Sequence, residues 1–212
     1  MSDASASPWP RLVLASTSAY RRELMQRLRV PFDAVPPGVD EQPLPGETPP
    51  ALAARLAEAK AAAVAAARDD DVVVIGSDQV AELDGQPLGK PGSHEAALAQ
   101  WRAMRGRTLV FHTALCVLRP RTGYRSLEVA PVRVRCRDLS DEHVETYLRL
   151  ETPYDCAGSA KCETLGIALL DEIVSDDPTA LIGLPLIATA RRLREAGADP
   201  LDWLTRERAR HG

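Results

Sequence analysis

The stretch VVVIGSDQVAELDGQPLGKP, residues 72–91, decides how the rest of the chain is read. Four β-branched apolar residues, Val72, Val73, Val74 and Ile75, predict a strand buried on both faces. Gly76 and Ser77 are expected to break that run, leaving Asp78 and Gln79 at the strand end. Asp84-Gly85 is the strongest two-residue hairpin signal in the sequence and turns the chain back toward Gly89-Lys90-Pro91. A strand thus delivers a carboxylate, and a hairpin returns an ammonium to the same neighbourhood. That pairing suits phosphate chemistry, with an acid/base beside a cation for phosphoryl oxygens. The plainer alternative is an Asp that shapes a turn and a Lys in solvent.

Upstream, RLVLA (residues 11–15) reads as a short strand and Ser18 as the N-cap of a helix over 19–29, with Leu24, Met25 and Leu28 inward. Ser16, Ser18, Arg21 and Arg22 cluster at this strand-to-helix turn. Free N–H groups, two hydroxyls and two guanidiniums make an anion site, although the arginines equally suit a solvated face. No glycine-rich loop is present, so neither a Walker A nor a dinucleotide fingerprint applies. After a strand at 32–35, a Pro-rich loop carries Asp40 and Glu41, adjacent acids that suit either a divalent cation or solvent. Thr48 and Pro49 open a long alanine-rich helix. Leu52, Leu56 and Lys60 are spaced by four, so Lys60 shares the core-facing stripe and must snorkel out or meet a buried anion.

Downstream, Ser93 opens a helix to about Arg105, strands follow at 108–118 and beyond Gly123, and Ser140 caps a helix to about Leu150. The alternating VRVRCR (residues 132–137) exposes one basic face, which reads as solvated edge arginines. In PYDCAGSAKCETLGIALL, the small residues 157–160 permit close approach of a ligand just before Lys161 and Glu163. An acidic loop and a last helix complete the pattern. Strands alternating with helices and hairpins predict an α/β fold with a mixed sheet.

Composition narrows the functional classes. A chain of 212 residues with 45% hydrophobic and 26% charged residues is an ordinary globule, and no apolar run has the length of a membrane span. A net charge of −4 argues against a nucleic-acid binder. Residues 1–9 lack the pattern of a signal peptide, so residues 1–10 read as a disordered lead-in and the tail from Gly197 as peripheral. The four cysteines lack C-x-x-C spacing and a nearby His, which argues against zinc and disulfides and for a reduced cytoplasmic setting. Only three of 26 basic residues are lysine: Lys60, Lys90 and Lys161. These sites are candidates for a compact ammonium that a guanidinium fork does not replace.

Taken together, LASTSAYRREL, VDE, Lys60, IGSDQV, GKP and CAGSAKCE resemble the Maf family of nucleoside triphosphate pyrophosphatases, over residues 11–196 as one domain. Within it the likeness is greatest to the branch acting on 7-methyl-GTP. The resemblance implies a three-layer α/β architecture, an elongated mixed sheet flanked by helices and related to the inosine triphosphatase fold. It also implies hydrolysis of a nucleoside triphosphate to the monophosphate and diphosphate with a divalent cation, Mg2+ or Mn2+, and a homodimer. Asp78 is then the implied proton acceptor, with Lys60 and Lys90 neutralising phosphate charge and Glu41 assisting through the metal or the water. Asp78 and Glu41 would hold the metal. Ser16, Ser18, Arg21, Arg22 and Lys161 are the substrate-binding candidates. Tyr20, Gln79 and Glu163 replace the Arg, Thr and Gln of relatives that cleave dTTP and UTP. An electron-rich ring and a carboxylate suit the positive charge that N7-methylation gives guanine. Ala19 stands where the family usually has proline. Two alternatives accompany this reading: a pyrophosphatase for dTTP, UTP or another modified nucleotide, and a nucleotide-binding regulator of septum formation.

Overall fold

The computed structural model describes residues 9–211. Seven strands form one mixed sheet: β1 (Arg11–Leu14), β2 (Asp33–Ala34), β3 (Val72–Leu83), β4 (Gln86–Leu88), β5 (Thr108–Arg119), β6 (Tyr124–Cys136) and β7 (Leu170–Val174). Their order is β2-β1-β3-β5-β6-β7, with β4 paired to β3. The helices are α1 (Ala19–Gln26), α2 (Pro49–Ala66), α3 (His94–Met104), α4 (Asp141–Glu151), α5 (Leu186–Glu195) and α6 (Pro200–His211). The expected α/β class and mixed sheet are therefore present.

Alternation along the strands sorts the core into layers. On β3, Val73 and Ile75 pack with Leu24 and Met25 of α1 and Leu193 of α5. Val72 and Val74 face the other way, onto Leu56, Ala57, Ala61 and Val64 of α2. Farther along, Ala81 and Leu83 pack with Trp101 of α3 and Tyr147 and Leu148 of α4. Helices thus cover both faces around β1 and β3, and the apolar run read as doubly buried is so.

The expected strand end at Gly76 is corrected: β3 runs on through Asp78 and Gln79 to Leu83. The antiparallel partner β5 carries it across, pairing Gly76 with Cys116 and Asp78 with Ala114. On the opposite side, parallel pairing with β1 stops at Leu14–Ile75, and β4 begins only at Ala81–Leu88. Residues 76–80 are bordered there by no paired strand, so the sheet has a notch at this point. Asp78 sits in the notch rather than at a strand tip. The hairpin that follows is as expected, with Asp84 and Gly85 at φ 53° and 77°, the double positive pattern of a type I′ turn.

Several local expectations are refined. Ser18 caps α1 by accepting from the Arg21 N–H at 3.4 Å. Thr48 occupies the N-cap of α2 but makes no side-chain capping bond, leaving Pro49 as the start signal. The basic stripe on β6 is not at an edge, because β7 pairs with it from Arg133 to Cys136. The tail carries α6, whose Trp203 packs against the core beside α5. Of the lead-in, residues 1–8 lie outside the described residues. Trp9 and Pro10 are structured, with the Arg206 guanidinium 5.1 Å from the Trp9 ring centre. Among the described residues no helix is long and apolar enough to cross a membrane.

Gly76 fixes how closely α2 approaches the sheet. A Cβ there would lie 2.2 Å from the Ala57 carbonyl oxygen and 2.8 Å from the Ala61 Cβ. Backbone cannot yield that distance without moving the helix. Gly76→Ala is therefore expected to lose about 1–3 kcal/mol of stability, read from the urea midpoint at constant slope. An unchanged midpoint would contradict the close helix–strand contact.

Candidate active site

The helical spacing that put Lys60 on the inner stripe of α2 carries its ammonium to the notch. Lys60 is 4% exposed and Asp78 7% exposed. Lys60 Nζ donates to Asp78 Oδ1 at 2.6 Å and lies 2.7 Å from Glu41 Oε1, so one ammonium bridges the two carboxylates. Arg21 NH2 comes to 4.0 Å from the same Asp78 oxygen. A buried charge requires such partners, since desolvation of an unpaired ion costs several kcal/mol, roughly. For Glu41, partial burial pushes the carboxyl pKa up. The Lys60 hydrogen bond and the charges of Lys60, Lys90 and Arg21 outweigh it and hold the group below its ordinary range. For Arg21, burial dominates and lowers the guanidinium pKa, against the pull of Asp78 and Glu41.

A second set of contacts orients the groups on the other sheet face. The loop between β7 and α5 presents backbone carbonyls to them. Arg21 Nε donates to the Gly183 carbonyl at 2.9 Å, and Ser77 Oγ donates to the same oxygen at 3.1 Å. Gln79 Nε2 donates to Thr113 Oγ1 at 2.9 Å and to the carbonyls of Ala180 and Leu181 at 3.0 Å each. Carbonyls accept only, so the amide must present its nitrogen here and its oxygen is left for any other partner. Buried Asp177 holds this loop in shape. Its carboxylate accepts from Thr179 N at 3.1 Å, Thr179 Oγ1 at 2.8 Å and Ile187 N at 2.8 Å.

The notch joins two cavities. One is polar and lined by Ser16, Ser18, Arg21, Glu41, Lys60 and Asp78, with Lys90 on its rim. The other is narrower and mainly apolar, walled by Trp101, Leu109, Phe111, Val134 and Leu181 and edged by Tyr20 and Glu163. Ser18, Tyr20, Arg21, Gln79, Lys90, Asp155 and Ala157 line both. Burial, the Cys156 thiol, and the carboxylates of Asp155 and Glu163 push the Tyr20 hydroxyl pKa well above its ordinary value. The ring is therefore a neutral π-surface in an electronegative setting, which suits a flat cationic group.

Most sequence candidates meet here: Ser16, Ser18, Arg21, Glu41, Lys60, Asp78 and Lys90 at the polar cavity, and Tyr20, Gln79 and Glu163 at the apolar one. Two do not. Arg22 is exposed and points from α1 toward Gln26, Phe32 and Asp33, on the other side of the helix. Successive helical residues diverge by about 100°, so Arg21 and Arg22 cannot share one small site. Lys161 lines neither cavity; its ammonium donates to the Glu151 carbonyl at the end of α4 at 3.1 Å. Asp155, Thr113 and the 180–183 carbonyls were missed. The last are backbone groups, which no residue pattern announces, and Asp155 is a lone loop acid beside the small residues that mark this segment.

Two carboxylates flank Lys60, and no group of three or more His, Cys, Asp or Glu side chains suited to a metal occurs among the described residues. Glu41 and Asp78 fit a Mg2+ or Mn2+ ion only if substrate oxygens and water complete its shell, the usual arrangement for Mg2+ on a phosphate ligand.

Known proteins match most of the chain. It is 62% identical over 194 residues to the 7-methyl-GTP pyrophosphatase of Burkholderia thailandensis, covering 91% of this chain and 90% of that protein. It is 59% identical over 187 residues to the protein of the same name from Albidiferax ferrireducens, covering 88% and 94%. A solved nucleoside-triphosphatase / dITP/XTP pyrophosphatase from Mycobacterium abscessus covers 61% of this chain and 75% of its own at 16% identity, with a TM-score of 0.37. Residues 11–196, which contain every strand among the described residues and all the side chains that meet at the notch, match the family description Maf-like protein. With that span and relatives of this identity, the chain belongs to the Maf family.

Proposed function

We propose that this chain is a nucleoside triphosphate pyrophosphatase that hydrolyses 7-methyl-GTP to 7-methyl-GMP and diphosphate, keeping the modified nucleotide out of RNA. The observation that carries the reading is the joined pair of cavities. Fixed cations converge on one carboxylate in the first, and the second offers an apolar slot edged by an aromatic ring and an anion. The names of the relatives support the same substrate.

The chemistry follows from charge. Attack on the α-phosphorus is slow because a triphosphate repels nucleophiles and the leaving diphosphate must accept more charge. Lys60, Arg21 and Lys90 supply fixed positive charge where that charge builds. Asp78 orients a water and takes its proton as oxygen bonds to the α-phosphorus and the bond to the bridging oxygen breaks. A divalent cation held by Glu41, Asp78 and the phosphates would add charge stabilisation. In the apolar cavity the methylated guanine ring packs near Tyr20. Glu163 accepts from its N1–H and N2–H edge, and the Gln79 oxygen is available as a second acceptor. A homodimer in the cytoplasm belongs to this reading on the family resemblance.

Incubation with 7-methyl-GTP, GTP, dTTP and UTP plus Mg2+ or Mn2+ tests the assignment. 7-Methyl-GTP is expected to give the highest kcat/KM, and predominant cleavage of dTTP or UTP would refute it. Asp78→Asn keeps the side-chain volume and the Lys60 contact while removing the base; kcat is expected to fall by about 10²–10⁴-fold. Near-normal turnover would exclude Asp78 as proton acceptor. In Glu163→Gln, the preference for 7-methyl-GTP over GTP is expected to shrink about tenfold, and an unchanged ratio would remove Glu163 from base recognition.

A further inference from the structure

The neck between the two cavities has its own chemistry. A nucleotide with its base in the apolar cavity and its phosphates in the polar one must leave its sugar at this neck. Arg21 and Lys90, which line both cavities, are cations suited to the phosphate side. Asp155 also lines both, and it is the carboxylate there. A carboxylate repels phosphate and accepts hydrogen bonds without donating any, so the substrate group that suits it is a neutral donor. The sugar offers two, the vicinal 2′- and 3′-hydroxyls, spaced to meet two carboxylate oxygens. Carboxylates recognise ribose by the same logic in dinucleotide-binding folds. The Gln79 amide nitrogen at this neck is already committed to Thr113, Ala180 and Leu181, so as a donor it does not compete for Asp155.

The wall that carries Asp155 is braced. The Tyr154 carbonyl accepts from Gly92 N at 3.0 Å, linking this wall to the loop that bears Lys90. Lys161 Nζ lies 3.9 Å from Asp155 Oδ1 while donating to the Glu151 carbonyl at 3.1 Å. Lys161 N in turn donates to the Tyr147 hydroxyl at 2.9 Å, tying this strap to the core of α4. A lysine that does not reach the phosphates is thus placed behind the acid at the neck.

We propose that Asp155 accepts hydrogen bonds from the sugar hydroxyls and gives this enzyme a preference for ribonucleoside over 2′-deoxyribonucleoside triphosphates, with Lys161 as the residue that positions it. The inference rests on the pyrophosphatase reading above. Glu163 then answers for the base and Asp155 for the sugar, two separable selections.

The test compares kcat/KM for 7-methyl-GTP and 7-methyl-2′-deoxyGTP in the full-length protein and in Asp155→Ala, Asp155→Asn, Lys161→Met and Lys161→Arg, each checked for fold by circular dichroism. The wild type is expected to favour the ribonucleotide by about 5- to 20-fold, the range of one hydrogen bond to a charged acceptor weakened by the exposure of Asp155. Asp155→Ala should bring that ratio close to one by slowing the ribonucleotide alone, and Asp155→Asn should fall between. Lys161→Met should lower the ratio less than Asp155→Ala, with Lys161→Arg restoring part of it. A wild-type ratio near one, or a ratio that Asp155→Ala leaves unchanged, would overturn the proposal. So would a loss in Asp155→Ala that follows base methylation rather than the sugar, since that would make Asp155 a second base contact. A wild type that cleaves neither nucleotide would instead refute the 7-methyl-GTP assignment on which the inference rests.

Discussion

Lys60 brings a full charge to the inner face of α2, where it is 4% exposed, and every other part of the site is arranged around keeping that charge answered. Asp78 and Glu41 stand 2.6 and 2.7 Å from its nitrogen. Such a buried cluster is weak evidence for stability, because desolvating the ions offsets most of their attraction. In the proposed reaction its value is chemical. An ammonium fixed between two carboxylates at a cleft is pre-organised toward a polyanion, and pre-organised charge needs no reorganisation when a transition state forms. A guanidinium is wider and flatter and spreads its charge over three nitrogens, so it does not replace one compact ammonium between two carboxylates.

The notch in the sheet explains how a cluster in the core remains reachable. Where β1 ends and β4 has yet to begin, residues 76–80 of β3 are bordered on one side only. Strand alternation turns Asp78 toward α2 and Gln79 toward the opposite face, so one short segment serves both cavities. In the proposed reaction the same geometry would separate two tasks. Asp78, Lys60 and Glu41 would act on the phosphates from the α2 face, whereas the base would be recognised on the face covered by α3 and α4. The 180–183 carbonyls, held by Asp177, fix Arg21, Ser77 and Gln79 between them.

Much of this was legible in residue order, and the failures share a cause. Four-residue spacing was enough to send Lys60 inward, because a helix repeats its faces locally. Asp84-Gly85 announced its own turn, and Ser18 its helix start. The continuation of β3 through Gly76 and Ser77 was not legible, since it depends on pairing with β5, some forty residues away. Arg22 and Lys161 looked equivalent to their neighbours in chemistry, and only the direction of each side chain separates them. The likeness of the motifs to the Maf family supplied the substrate class, which spacing alone did not. Asp155 was hidden because a lone acid in a loop carries no pattern, and its position between two cavities exists only in three dimensions.

The central claim is that the Lys60 ammonium serves the reaction rather than the fold. Lys60→Met measures it most directly, through single-turnover hydrolysis of 7-methyl-GTP alongside a urea unfolding curve. The account predicts a folded protein whose rate is lower by at least about 100-fold, the usual loss when one fixed charge-stabilising group is removed. A folded Lys60→Met protein that hydrolyses the nucleotide at close to the normal rate would contradict it.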